Sequence, residues 1–398
     1  MSSAPKRWNV KQGNLKCLGK FLMIFFLYLT IKNIFYLQTS NQIESQSKSE
    51  IINTILLNGN LSFEEYSSYR VMFEDSQEIE KYGFVHKSMS RTLQNMVIPQ
   101  LYFYYAKKGE ELKKENVSHS KSKEYVMERK KMICDALNKV NVSFFMKGDS
   151  GFLKLKKEHL LPSKPFLNNM KFKTCALVGN SGSLIGSNLG GFIDSHDLVI
   201  RLNHAKTAGY KDDVGCRTDI RFVNSLVLKK KKYKYFFPNS MYQSKETTYV
   251  TFEVSRFNQG FINWTITQKP FIDRYFKQRV FNKDQKFYML DYRSLWSMQR
   301  WLSSLGKYPI LNFIPSSGFI AFQTMLSHCD IIRLFEFIPS KRQTNLCHYF
   351  ENQRSMACTY GGDHSVSAEK LSYYFMGNRN RVEIFDKGYV TIDTRHCE

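Results

Sequence analysis

Imidazole, hydroxyl and amide side chains, rather than paired carboxylates, carry the chemistry this sequence offers. His364 stands five residues before Glu369 in Asp-His-Ser-Val-Ser-Ala-Glu, and imidazole is the side chain that titrates near neutral pH. One histidine among nine is more often structural than catalytic, so residue type alone gives it no role. At i+5, Glu369 does not lie directly over His364 on a helix, and a structural part, capping or holding the local turn, suits it best. Ser316, Ser317 and Gly318 precede Phe319–His328, whose apolar residues recur at helical spacing. A serine there is an N-cap, and the open N–H groups of the helix start can also hold a phosphate or carboxylate. The run Cys175-Ala-Leu-Val-Gly-Asn-Ser-Gly-Ser-Leu-Ile-Gly186 reads as a buried strand entering a Gly/Ser turn and a helix start, again a cradle for an anion. Its glycine spacing, Gly179-x-x-Gly182-x-x-x-Gly186, misses the dinucleotide fingerprint and argues against nicotinamide or flavin. Asn180, Asn203 and Asn224 end strands or begin turns, where asparagine is common for backbone reasons alone. No Asp-x-Asp occurs, so the carboxylates that hold a divalent ion on a diphosphate are missing.

These residues need a scaffold that aligns several strand ends. From about residue 130, apolar runs alternate with amphipathic stretches, the pattern of an α/β domain with a largely parallel sheet. The expected strands are Cys175–Val178, Leu198–Leu202, Ile220–Phe222, Thr248–Phe252, Phe287–Leu290 and Ile331–Phe335. Roughly 270 residues suffice for one well-cored domain. No internal repeat is visible. Upstream, Ser40–Ser49 is polar and Ser-rich and Lys107–Lys123 is dominated by charge, as in a solvated tether.

Four motifs stand in a fixed order: Cys175 through Asn203, Pro315-Ser316-Ser317-Gly318 through Cys329-Asp330, His348-Tyr349-Phe350-Glu351, and His364-x4-Glu369. In this order they resemble the motifs of the eukaryotic sialyltransferases. Phe335-Glu-Phe-Ile-Pro-Ser-Lys-Arg342, the Cys347–Cys358–His364 spacing, Cys134–Ser143 and the ending Thr394-Arg-His-Cys397 most resemble the β-galactoside α-2,6 subgroup. The resemblance covers roughly residues 130 to 398. It implies a single Rossmann-like domain, a GT-A variant with a mostly parallel seven-stranded sheet. It implies CMP-sialic acid as donor, no cofactor and no metal, because a CMP-sugar leaves as the monophosphate. It makes His364 the general base. Asn180, Ser181, Asn203, Asn224, Ser316, Ser317 and Gly318 become donor contacts, and His348 and Tyr349 partners of the departing phosphate. It pairs Cys175 with Cys329, Cys347 with Cys358 and Cys134 with Cys397, and leaves Cys216 free. On this reading the Cys175–Cys329 bond ties the donor loop to the helix of the second motif.

The N-terminus speaks for topology on its own. Residues 1–20 carry Lys6, Arg7, Lys11, Lys16 and Lys20 and no acid, before the apolar run Phe21–Leu37 interrupted by Lys32. A basic flank keeps the N-terminus cytoplasmic. The run is at the low end of the ~17–25 residues that span a bilayer, and no small-residue cleavage site follows. The expected organisation is therefore a cytoplasmic tail (1–20), a transmembrane signal anchor (21–37), a stem (38–128) and a lumenal catalytic domain (129–398). This makes it a single-pass type II protein, and with the resemblance one of the Golgi membrane. Eight cysteines suit an oxidising lumen. That setting, with spacing that matches no zinc pattern, argues against a site at Cys347, His348, Cys358 and His364. Sequons stand at Asn60, Asn116, Asn141 and Asn263. The net charge of +23 invites nucleic acid as a partner, but no nucleic-acid motif accompanies the basic runs around Lys130 and Lys229–Lys234. Solvated surface, or steering of an anionic nucleotide-sugar, accounts for them.

The expected activity is transfer of sialic acid to the 6-hydroxyl of galactose-terminated glycans on glycoprotein or glycolipid. Three departures from the subgroup bear on the acceptor. Leu226 stands where the resemblance expects an amide reaching the galactose, Asp363 replaces an aromatic residue, and Lys229–Lys286 is only loosely similar. Two enzymatic alternatives keep the donor, with a β-linked N-acetylgalactosamine acceptor or an α-2,3 linkage. An inactive glycan-binding relative is the reading from a different class. His364, Ser316, Ser317 and Asn203 speak against it.

Overall fold

The computed structural model describes residues 119–398, apart from 238–239, 254–259, 306–313, 343, 355–363, 365, 381, 396 and 398. The expected tail, anchor at 21–37 and most of the stem, with Asn60 and Asn116, lie outside the described residues. Among the described residues no helix is long and apolar enough to cross a membrane.

Seven strands form one sheet: β1 (Phe172–Val178), β2 (Leu198–Leu202), β3 (Ile220–Asn224), β4 (Thr248–Phe252), β5 (Phe287–Met289), β6 (Cys329–Phe335) and β7 (Tyr389–Asp393). Their order is β5-β4-β3-β2-β1-β6-β7. All neighbours are parallel except β6 and β7, which run antiparallel. Six of these strands fall on the apolar runs expected. Every residue of β2 and β4 is buried, as parallel strands covered on both faces must be.

The helices used below are α1 (His119–Lys139), α2 (Ser225–Lys229), α3 (Lys269–Phe281), α4 (Tyr292–Ser304), α5 (Ser317–Met325) and α6 (Val366–Met376). Helix α1 runs across the 128/129 boundary drawn from composition. Its Met132, Ile133 and Ala136 are buried, so this charged stretch has an apolar stripe that packs on the domain. A cluster of aromatic side chains, including Phe145, Phe152, Trp264, Tyr275 and Tyr292, fills the β4–β5 side of the sheet.

Chain order reverses beside β1: the first strands step away on one side and β6 returns on the other. In open parallel sheets the crevice outside the carboxyl ends of strands at such a reversal is where ligands bind. Two disulfides brace this region and the chain ends. Cys175–Cys329 spans 6.0 Å between Cα atoms and staples β1 to the first residue of β6. This corrects the sequence reading, since the bond joins two paired strands and not the loop to a helix. Cys134–Cys397 joins α1 to the C-terminal end, with 5.0 Å between Cα atoms. Cys347 is disulfide-bonded as well, and its expected partner Cys358 lies outside the described residues. Cys216 is a free, exposed thiol.

Candidate active site

At the carboxyl ends of β1, β2 and β6 the backbone opens into a cavity of about 520 Å³. The segments that converge on it include the turn after β1, the start of α5, the stretch Thr344–His348, and His364 with the first turns of α6. Ser181 shapes the first. Its Oγ accepts from the Ser183 nitrogen at 3.2 Å, capping a single tight turn over Gly182–Leu184. A side chain at Gly182 would meet Leu346 at 2.6 Å, so only glycine lets the turn and the third segment close on each other. Asn180 gives its backbone carbonyl to the Tyr349 nitrogen at 3.0 Å. Its side-chain Oδ1 is buried with no partner, and an unpaired buried acceptor is costly unless a ligand satisfies it.

The second segment is locked by a carboxylate. Ser316 caps α5, its Oγ accepting from the Phe319 nitrogen at 3.1 Å. The same residue donates its N–H to Glu369 Oε1 at 2.8 Å and its hydroxyl to Glu369 Oε2 at 2.5 Å. Glu369 is 2% exposed. Burial pushes its carboxyl above the ordinary range, while His364 and the two Ser316 bonds pull the other way. Gly318 admits Phe337, whose ring would lie 2.7 Å from any added Cβ.

His364 is exposed on the cavity wall. Its Nδ1 lies 2.7 Å from the Ile314 carbonyl. A carbonyl only accepts, so Nδ1 carries the proton and Nε2 of the neutral ring is left as the acceptor. That is the tautomer a general base needs. His348 also lines the cavity. Its Nδ1 donates to Glu351 at 2.8 Å, and its ring stacks on Phe350 with centroids 5.2 Å apart.

Six of the expected residues, Asn180, Ser181, Ser316, Gly318, His348 and His364, thus share one cavity with Glu369. Four others are not among its lining residues. Asn203, at φ 48°, donates from Nδ2 to Ser317 Oγ at 3.2 Å and accepts at Oδ1 from the Asn224 nitrogen at 3.0 Å. Asn224 in turn caps α2 through Val227. These three residues lace the ends of β2 and β3 to α5. Tyr349 is 2% exposed, and its hydroxyl donates to the Lys206 carbonyl at 2.6 Å. Burial pushes that phenol up to about 12, so it stays protonated in this bond.

Three basic residues had no role assigned from the sequence. Arg221, buried in β3, donates to the carbonyls of Asn203 and Ala205, both at 3.0 Å, and so holds the turn after β2. Arg342 bridges the Ser183 carbonyl at 3.0 Å to Glu336 at 2.7 Å, tying the turn after β1 to the end of β6. Lys370 lines the cavity beside Glu369 and brings positive charge to it. Among the described residues no group of His, Cys, Asp and Glu is arranged to hold a metal ion.

Residues 112–378 match the sequence profile of Glycosyltransferase family 29 (sialyltransferase). The beta-galactoside alpha-2,6-sialyltransferase 2 of Danio rerio is 32% identical over 286 residues, covering 70% of this chain and 54% of the relative. Its namesake in Gallus gallus is 34% identical over 266 residues, covering 66% and 49%. That of Homo sapiens is 32% identical over 292 residues, covering 71% and 54%. The chain therefore spans about half the length of the curated relatives it matches. A solved mammalian sialyltransferase in complex with Gal-beta-1-3GalNAc-ortho-nitrophenol aligns with a TM-score of 0.36 at 22% identity, over 62% of this chain and 82% of that one.

Proposed function

Since the chain belongs to glycosyltransferase family 29, the sialyltransferases, we propose that it transfers sialic acid from CMP-sialic acid to the 6-hydroxyl of a terminal β-galactoside, with inversion. The observation that carries this reading is the convergence of Asn180, Ser316, His348 and His364 on one cavity at the sheet's reversal point. The relatives' names supply the linkage and the galactoside.

In this mechanism the acceptor hydroxyl approaches His364 and gives its proton to Nε2 as the new C–O bond forms. The hydroxyl oxygen attacks the anomeric carbon from the face opposite CMP, and the bond to the phosphate oxygen breaks as CMP departs. The charge that grows on the phosphate is met by the open N–H groups at the start of α5 and by the Nε2–H that His348 carries in its imidazolium form, its Nδ1–H being held by Glu351. The orphan Oδ1 of Asn180 accepts from a donor group on the nucleotide. No divalent ion is required, since one phosphate leaves with CMP and its charge is met by fixed donors. The body acts on the lumenal side of the Golgi membrane, held by the anchor at 21–37.

The test is direct: incubate the protein with CMP-sialic acid and a panel of galactose- and N-acetylgalactosamine-terminated acceptors, and determine the linkage in the products. Sialylation at O6 of galactose is the expected result. Transfer confined to another position or sugar would overturn the acceptor assignment, and release of free sialic acid alone would overturn the transfer.

A further inference from the structure

Next to the cavity, the surface becomes basic and aromatic together. Beyond α2, Lys230, Lys231, Lys232 and Lys234 are all exposed. Nearby carboxylates are already engaged: Glu253 by Lys229 at 2.7 Å, and Asp273 by Lys157 and Lys269. Among the described residues no ion pair neutralises the four lysines. Helix α3 adds to the same charge, with Arg274 and Lys277 over the ring of Phe236, 5.4 and 5.9 Å from its centroid.

A run of ring contacts joins this surface to the cavity. Lys232 Nζ sits 4.7 Å over Tyr233. The Tyr233 ring lies 5.3 Å from His204, His204 lies 6.1 Å from Phe350, and Phe350 stacks on His348 of the cavity wall. Burial first, then Lys206 and Arg221, hold the His204 imidazole below its ordinary range. Tyr233 and His204 are half-buried links, Phe350 is a buried one, and the positive charge of the strip sits on the exposed lysines beside them.

Flat rings flanked by ammonium groups suit a sugar chain that carries anions: the rings take the C–H faces, and the lysines take sulfate or carboxylate at contact range. Long-range attraction of the donor is a poorer explanation, because exposed charges are screened beyond about 8–10 Å in physiological salt. A bilayer of acidic lipids is the competing partner, and Phe237, 55% exposed, would offer it one apolar side chain. The packed rings between these lysines and His348 set the strip beside the cavity, which favours the sugar chain. Resting on the sialyltransferase reading above, we propose that this strip is an extended acceptor subsite for a glycan antenna bearing sulfate or carboxylate on the sugars that precede the reacting terminal one.

The experiment uses the full chain and two acceptors: a neutral galactose-terminated oligosaccharide, and the same oligosaccharide sulfated on its interior sugars. At about 50 mM salt the sulfated acceptor should have a KM about tenfold lower, and the difference should vanish at about 500 mM. The triple variant Lys231→Gln, Lys232→Gln, Lys234→Gln should lose the difference while keeping the wild-type kinetics on the neutral acceptor. Equal KM values in the wild type, or a difference that survives in the variant, would overturn the proposal. Calorimetric titration with the sulfated oligosaccharide, without donor, asks the same question independently of turnover. Salt-sensitive binding that the variant loses would support the subsite even if no acceptor were sialylated, in which case only the assigned activity would fall. Absence of such binding would sink the subsite whatever the activity. Phosphatidylserine vesicles form the last arm: a variant that loses vesicle binding but keeps the acceptor preference would assign the strip to a membrane instead.

Discussion

Glu369 accepts both hydrogen bonds that Ser316 can donate, one from its backbone nitrogen and one from its hydroxyl. Ser316 starts helix α5, and two residues before it the Ile314 carbonyl holds Nδ1 of His364. The proposed base and the helix start facing the donor are thus fixed to one short segment, and the carboxylate five residues after the base clamps it. Removing that carboxylate as Glu369→Ala should leave a buried N–H unpaired and cost about 1–3 kcal/mol of stability. The folded variant should also lose about 10²-fold in kcat/KM through misplacement of α5. Glu369→Gln, which keeps one acceptor oxygen, should recover part of both. Thermal unfolding beside kinetics separates the two effects, and a folded Ala variant with unchanged kcat/KM would remove the clamp from the mechanism.

His364→Ala should lower kcat by about 10²–10⁴ and leave CMP binding near the wild-type level, because the donor contacts proposed here lie on other residues. Isothermal titration with CMP gives the second half of that comparison. Near-normal turnover in the folded variant would mean that another group takes the proton.

Activity should withstand EDTA, since the sequence holds no Asp-x-Asp motif to place a divalent ion on a phosphate. Loss on chelation with recovery on added manganese would falsify the metal-free mechanism.

Glu336 gives a pH signature. Its side chain is buried at the end of β6, one oxygen shared by Ser340 and Arg342, the other without a partner. Burial pushes its carboxyl up to about 7, against the pull of Ser340 and Arg342. The folded state therefore holds the proton more tightly than the unfolded chain does. The stabilisation is complete below the ordinary carboxyl value and is lost as pH rises through about 7. Between pH 5 and about 7.5, wild-type stability should fall relative to Glu336→Gln, which has no such proton to lose. Denaturant titrations across that window measure the difference, and parallel curves for the two proteins would rule out this titration.

Cys175→Ser should cost roughly 2–4 kcal/mol, since it opens a long covalent loop inside a marginally stable domain. Cys216→Ser, which removes a free exposed thiol, should change little. Non-reducing peptide maps of the wild type should recover Cys175 with Cys329. A peptide linking Cys216 to either would contradict this arrangement.

The parallel strands were legible because a strand buried on both faces is written as an unbroken apolar run. Strand β7 was not. Tyr389–Asp393 mixes buried and half-buried residues and takes its place only through antiparallel pairing with β6, which no local pattern announces. Most of the expected site residues that line the cavity, Asn180, Ser181, Ser316, Gly318 and His364, sit just after a strand or at a helix start, where sequence order and position in the fold coincide; His348 lies in a loop. Tyr349 shows the limit of that rule. It lies in the right motif, yet its hydroxyl is committed to the Lys206 carbonyl, a partner far away in sequence. Arg221 and Arg342 were illegible for the same reason, since their targets are backbone carbonyls brought near only by the finished fold.

The bond between Cys134 and Cys397 makes the body a closed ring of chain. A protease that cuts any loop within that ring once releases no fragment until the bond is reduced. A pull transmitted along α1 is likewise shared at Cys134 between the chain that follows and the bonded segment at Cys397, which leads directly back into β7. Load on α1 therefore reaches the sheet from two sides, along the chain and across the covalent bond to the segment that follows β7.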